Sequence, residues 1–251
     1  MFRRTYPLLV LLLLAMIAVP AGAKPLPETA KPSASDRILI VAPHIDDEAI
    51  AAAGYVSAAR AVGAEVSIVY LTAGDCNHTS ARMMGHTLRP KPAVFLQLGK
   101  KRYGEALEAT ERMKVPRSNV FLLGYPDGGL RAMLDDPGMV VRSRGTARTE
   151  VPYAEAVKPG SAYRLDNLVR DLDGVLKAMR PTVVLLPVTF DAHSDHSATG
   201  EITLRVLAAS GMAPRLLGYL VHARHFPVPF RPAASRSLDP PLAYASKAWT
   251  V

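Results

Sequence analysis

Ile38-Leu39-Ile40-Val41-Ala42-Pro43-His44-Ile45-Asp46-Asp47-Glu48 is the stretch on which the reading of this chain turns. Five consecutive apolar residues of strand length, with no polar alternation, predict a strand buried on both faces, as in a parallel sheet. Imidazole and carboxylates follow at once, at the end of that strand. The pattern repeats. Val66-Ser67-Ile68-Val69-Tyr70-Leu71, Val120-Phe121-Leu122-Leu123-Gly124, Val183-Val184-Leu185-Leu186-Pro187 and Leu216-Leu217-Gly218-Tyr219-Leu220-Val221 read as four further strands. Helices are expected between them: Asp47 to about Val62, about Gly99 to Met113, Leu165 to Met179 with apolar residues at helical spacing, and about His196 to Ser210. Strands alternating with helices predict an α/β domain, Rossmann-like, with a mostly parallel sheet of about five or more strands. Cys76 to Ala93 reads as an irregular basic segment, and Leu130 to Arg164 as a long aperiodic loop of the kind that serves as a lid or stays disordered.

Acid and imidazole gather after these strands. His44, Asp46 and Asp47 follow the first, Asp75 the second, Asp127 the third, His193 to His196 the fourth and His222 the fifth. In a parallel sheet those ends share one edge, where open α/β sheets bind ligands. Taken alone, His44 is as well explained as a hydrogen-bonded structural residue, and two aspartates at a helix start as a cap and a dipole partner. The second run, Asp191-Ala192-His193-Ser194-Asp195-His196, has no packing purpose of its own, and the two together point to a metal site. Imidazole and carboxylate suit zinc, and three protein ligands leave a position for water. The residues alone do not say which of Asp46 and Asp47 binds metal.

The chain resembles the PIG-L/LmbE-like zinc-dependent de-N-acetylases, a group that includes the N-acetylglucosaminyl-phosphatidylinositol deacetylase and the deacetylases of mycothiol and bacillithiol synthesis. The family's Ala-His-Pro-Asp-Asp-Glu run stands here as Ala42-Pro43-His44-Ile45-Asp46-Asp47-Glu48, with an extra proline and with Ile45 in place of proline. Its His-x-Asp-His run is intact as His193-Ser194-Asp195-His196. Leu71-Thr72-Ala73-Gly74-Asp75, Arg102-Tyr103-Gly104-Glu105-Ala106 and Gly124-Tyr125-Pro126-Asp127 match lesser segments. The resemblance implies His44, Asp47 and His196 as ligands of one zinc per chain and Asp46 as general base. It implies His193 as electrophilic or acid partner, oriented by Asp195, and Arg102 and Asp127 as sugar-holding residues rather than metal ligands. The implied reaction is hydrolysis of an N-acetyl group from an N-acetylglucosamine-type substrate, with acetate released and the oxyanion held by metal and an imidazolium. The same machinery also suits a zinc hydrolase of another amide or ester, and a metal-bound but inactive carbohydrate-binding protein is the rival of a different class. The end at Trp249-Thr250-Val251 falls short of the further helix the resemblance implies, so a truncated domain is expected there.

The chain has 251 residues and 49% hydrophobic content, part of it in a leader. Arg3 and Arg4 precede an apolar run from Leu8 to Val19, then Pro20 and Ala21-Gly22-Ala23. That run is shorter than the roughly 20 residues a membrane span needs, and the pattern is that of a signal peptide over 1–23. Lys24 to Ser35, rich in Pro, Ala, Ser and Thr, reads as a linker, leaving 36–251 as one domain with no stable membrane span after processing. Loss of the leader's two arginines lowers the formal charge from +8 to +6. With few aromatics for base stacking, nucleic acid is not an expected partner. Cys76 is the lone cysteine, so no internal disulfide is expected, and a small structural thiol is the favoured reading. His78 and His86 read as solvated, while His222 and His225 stand near enough to the fifth strand to reach the site. An exported, periplasmic or extracellular location is expected. Intact-mass measurement of the exported protein should therefore find Lys24 as its first residue; a mature chain retaining Leu8 to Val19 would refute this.

Overall fold

The computed structural model describes residues 29–222. The leader, His225 and the C-terminal Trp249-Thr250-Val251 lie outside the described residues. Five strands form one sheet: β1 (Arg37–Ala42), β2 (Glu65–Thr72), β3 (Val120–Tyr125), β4 (Val183–Pro187) and β5 (Arg215–Tyr219). All pairs are parallel and the spatial order is β3-β2-β1-β4-β5. β1 is central, with Ile38 opposite Val66 on one side and Val183 on the other. Its last five residues are all buried, as continuous apolar runs in parallel sheets require.

The helices are α1 (Asp47–Ala61), α2 (His78–Gly85), α3 (Pro92–Arg112), α4 (Leu130–Asp135), α5 (Leu165–Met179) and α6 (Ser194–Ser210). α5 buries Leu165, Leu168, Leu172, Val175 and Leu176, the i, i+3, i+4, i+7 stripe of a core-facing helix. Three elements depart from expectation. α3 begins at Pro92, about two turns before Gly99, because Phe95 and Leu98 are already buried and proline suits the first helical position. The supposedly irregular basic segment contains α2, capped by the Asn77 side chain accepting from Ser80 N at 2.9 Å. With Ala81 its one buried residue, α2 carries no periodic signal. The 130–164 segment opens with the six-residue α4, too short to show a period. Among the described residues no helix is long and apolar enough to cross a membrane.

α6 lies very close to β4. A Cβ on Gly200 would stand 2.4 Å from the Pro187 carbonyl oxygen, a backbone atom that cannot move aside. Gly174, by contrast, sits exposed in α5 with nothing within 4 Å of such an atom. Gly200→Ala should thus cost about 1–3 kcal/mol by overpacking, whereas Gly174→Ala should stabilise by up to about 1 kcal/mol through helix propensity. Urea unfolding of the two variants checks this, and equal midpoints would contradict the close α6–β4 contact.

Candidate active site

Strand order reverses between β1 and β4, which separates their outgoing chains and opens a crevice at the carboxyl edge. The loop after β1 carries His44 to Asp47 into it, and the loop after β4 carries Asp191 to His196. Three donor atoms meet there. His44 Nδ1 and His196 Nε2 each lie 3.3 Å from Asp47 Oδ2, and 3.3 Å from one another. Donors held about 2.0 Å from a tetrahedral zinc are about 3.3 Å apart, so this triangle has the edge length such a cation imposes. His193 also offers a ring nitrogen close to those of His44 and His196.

Carboxylates behind the rings set which nitrogen faces inward. His44 Nε2 is 3.4 Å from both Asp127 Oδ1 and Asp195 Oδ2, so with a metal bound its one proton would sit there and Nδ1 would offer its lone pair beside Asp47. His196 Nδ1 is 3.3 Å from Asp191 Oδ2, which leaves Nε2 facing the same point. This is the outer-shell arrangement that orients metal-binding histidines. Burial works against a charged His44, but Asp127, Asp195 and Asp47 outweigh it and hold its proton affinity well above that of an ordinary histidine. Asp47 is itself buried, yet the neighbouring histidines keep its carboxyl below the usual range. So much negative charge around two imidazoles calls for a cation, and the donor set fits a divalent metal.

Asp46 and Asp47 part ways. Asp47 is buried and accepts from His44 N at 2.9 Å. Asp46 precedes α1 but makes no side-chain cap bond; its half-exposed carboxylate pairs with Arg102 Nη2 at 2.9 Å. Burial raises the Asp46 pKa and Arg102 opposes that rise. Both residues line a cavity of about 250 Å³ together with His44, Asp127, His193 and His222.

The expected roles of three residues need revision. Asp195 does not reach the His193 ring with its carboxylate. That group accepts from Gly128 N at 2.7 Å and Leu130 N at 3.1 Å, and backs His44. It is the Asp195 main-chain N–H that orients His193, donating to Nδ1 at 3.2 Å. A ring accepting at Nδ1 carries its proton on Nε2, and burial lowers its proton affinity, so His193 rests as a neutral donor. Asp127 lines the cavity, but it also backs His44 and accepts from Cys76 N at 2.7 Å, so it is not independent of the metal side. Arg102, besides Asp46, donates to Gly74 O at 2.6 Å and Ile45 O at 3.0 Å; it clamps the β1 and β2 loops together.

Asp191 had no assigned role, although it stands two residues before His193 in the quoted run. Besides facing His196 it accepts from the main-chain N–H groups of His193 (2.9 Å), Val221 (3.0 Å) and His222 (3.1 Å). It thereby ties the loop after β4 to the chain after β5 and brings His222 within 3.6 Å. The buried Tyr153 hydroxyl donates to Asp75; burial pushes the Asp75 carboxyl up to about 7 despite that bond. Burial, then the carboxylates of Asp127 and Asp75, push the Cys76 thiol up to about 11, the state of an unreactive thiol. His78 and His86 are exposed, His78 stacking edge-on against Phe95.

A family model described as PIG-L, GlcNAc-PI de-N-acetylase, matches residues 39–207. The chain belongs to the PIG-L family. A 1D-myo-inositol 2-acetamido-2-deoxy-alpha-D-glucopyranoside deacetylase of Tsukamurella paurometabola is 31% identical over 191 residues, covering 70% of this chain and 57% of that protein. The protein of the same description in Nakamurella multipartita is 33% identical over 193 residues, covering 73% and 59%. The chain thus spans less than two thirds of the length of these relatives. Among solved structures, the N,N'-diacetylchitobiose deacetylase of Pyrococcus horikoshii aligns with a TM-score of 0.46 at 23% identity, covering 69% of this chain and 49% of that one. Family membership agrees with the resemblance carried by the His44–Glu48 and His193–His196 runs.

Asp191→Asn removes the charge behind His196 and leaves one acceptor oxygen where the loop N–H groups use two. It should weaken divalent-metal binding by about 10- to 100-fold, measured by chelator competition on protein shown to be folded by circular dichroism. Undiminished affinity would show that Asp191 serves the loop alone.

Proposed function

We propose that this protein is a zinc-dependent deacetylase that hydrolyses the N-acetyl group of an N-acetylglucosamine-type sugar, with one zinc per chain held by His44, Asp47 and His196. The observation that carries the reading is the 3.3 Å triangle of His44 Nδ1, Asp47 Oδ2 and His196 Nε2, with a non-ligand carboxylate, Asp46, on the same cavity wall. Membership of the PIG-L family and the printed activity of its relatives support the substrate class. Zinc bound there would supply a water of pKa about 7 and polarise the acyl oxygen.

The chain's own residues supply the rest. Asp46, steadied by Arg102, accepts a proton from the attacking water. His193 presents its Nε2 N–H to the acyl oxygen as charge develops on it, a neutral donor held by the Asp195 main chain. The water oxygen bonds to the acyl carbon, the C–N bond breaks, and the proton held by Asp46 passes to the departing amine. Acetate and the free amino sugar are the products. Asp127 and Arg102 reach the cavity beside their structural contacts, and their spare acceptor and donor positions suit sugar hydroxyls. The leader pattern supports export to the periplasm or beyond.

Acetate release from a panel of N-acetylglucosaminides, with and without chelator, tests the reading. Asp46→Asn should retain zinc and lose at least about 100-fold in kcat, the scale of a missing general base. His196→Ala should lose most of the metal. Asp46→Asn found metal-free while Asp47→Asn stays loaded would reverse the two carboxylates, and no chelator-sensitive release from any N-acetylated sugar would refute the activity.

A further inference from the structure

Asp127 borders more than the cavity at the metal cluster. It also lines a second cavity of about 350 Å³, between the Pro126–Gly129 turn, Ala132 of α4 and the loop from Met139 to Arg144. Asp127 lines both spaces. Part of the second wall is apolar, with Met139 and Val140 40% and 44% exposed. The rest is cationic. Arg142 spends Nε on the Ala147 carbonyl oxygen at 3.2 Å. Among the described residues neither Arg142 nor Arg144 has a carboxylate within ion-pair distance, whereas Arg131 nearby is paired with Asp135 and Glu201.

The loop that carries these arginines is held in place. Val141 N donates to Tyr163 O at 3.0 Å, and Ser143 N to Arg148 O at 2.8 Å. Thr146 N donates to Ser143 Oγ at 3.1 Å. Gly145 packs so tightly that a Cβ there would stand 3.1 Å from the Phe95 ring and 3.3 Å from Cys76 Cα. That contact joins the loop to the segment from Cys76 to Gly104, which has no acidic residue; of its six basic ones Lys101 pairs with Glu105 and Arg102 with Asp46, leaving Arg82, Arg89, Lys91 and Lys100. Excess charge of one sign near a cleft raises the local concentration of its opposite.

We propose that the cavity between the Pro126–Gly129 turn and the Met139–Arg144 loop is a second substrate subsite, which takes the group attached to the N-acetylated sugar and selects an oxyanion on it through Arg142 and Arg144. The apolar wall accepts the body of that group. The two guanidiniums, carrying forked donors, accept a carboxylate or phosphate. This rests on the deacetylase reading of the adjoining cavity.

Two aryl N-acetylglucosaminides, one with a 4-carboxyphenyl group and one with the matching 4-carbamoylphenyl group, differ in a single charge. The native enzyme should prefer the carboxylate by about 10-fold in kcat/KM, mainly through KM, and the preference should shrink as salt is raised. In Arg142→Gln/Arg144→Gln the ratio should fall to about 1. An unchanged ratio in the variant, or none in the native enzyme, overturns the proposal. Equilibrium binding of the same two glycosides, measured calorimetrically, separates the two readings. Charge-selective binding that the double variant loses, with no acetate released, keeps the subsite and refutes the deacetylase. Acetate release with no charge preference in rate or binding refutes the subsite and keeps the deacetylase. Failure of both probes to bind or react refutes the subsite as well.

Discussion

Everything at the site depends on the reversal of strand order between β1 and β4. β1 is hydrogen-bonded to β2 on one side and β4 on the other, and the chains leaving β1 and β4 depart from adjacent strand ends. Residues about 150 positions apart in sequence are thereby set side by side, and His44 meets His196 at 3.3 Å. Gly200 completes the arrangement. Its missing side chain lets α6 settle against the Pro187 carbonyl, which fixes the depth of His196 at the first turn of that helix. A polar cluster placed by backbone packing in this way is preorganised, because strands and helices hold their positions more tightly than loops do.

The cluster gathers charge that a folded protein tolerates only when it is answered. Asp47, Asp191 and Asp195 are buried, with His196 among them. Burial by itself penalises each ionised carboxylate, but every one accepts main-chain N–H bonds or faces an imidazole. These partners serve two ends at once. They offset the desolvation of the carboxylates, and they set which nitrogen of each ring faces Asp47, so that His44 Nδ1 and His196 Nε2 would be the atoms offered to a bound metal. His193 is assigned differently, by a main-chain N–H at Nδ1, which suits it to donate rather than to bind metal. Three histidines of similar sequence setting thus receive distinct roles from their hydrogen-bond partners alone.

Asp127 joins this centre to the rest of the surface. One oxygen backs His44 and the other holds the Cys76 main chain, while its exposed edge borders two cavities. The segment that closes the second cavity reads in sequence as a featureless loop. Its order comes from contacts to Tyr163, Arg148 and Phe95, all three outside the Met139–Arg144 loop in chain position.

Much of the fold was legible in residue order. Continuous apolar runs such as Ile38 to Ala42, of strand length and repeated between helical stretches, read as strands buried on both faces, and the Leu165–Leu176 stripe as a helix against a core. The presence of a metal-competent cluster was legible too, since acid and imidazole follow one strand after another. What the residues left open was decided by tertiary contacts. Sequence could not separate Asp46 from Asp47, because both stand at a helix start; the paths of Arg102 and His196 through space separate them. It could not say that the Asp195 carboxylate serves His44 while its main chain serves His193, or that Asp191 supports His196, since hydrogen-bond direction depends on ring orientation. It could not reveal α2, whose stability comes from a single cap and one buried alanine. Local sequence determines which groups are available and which segments must be buried. Which donor faces which acceptor is set by where the packed strands leave their ends, and that is a property of the whole sheet.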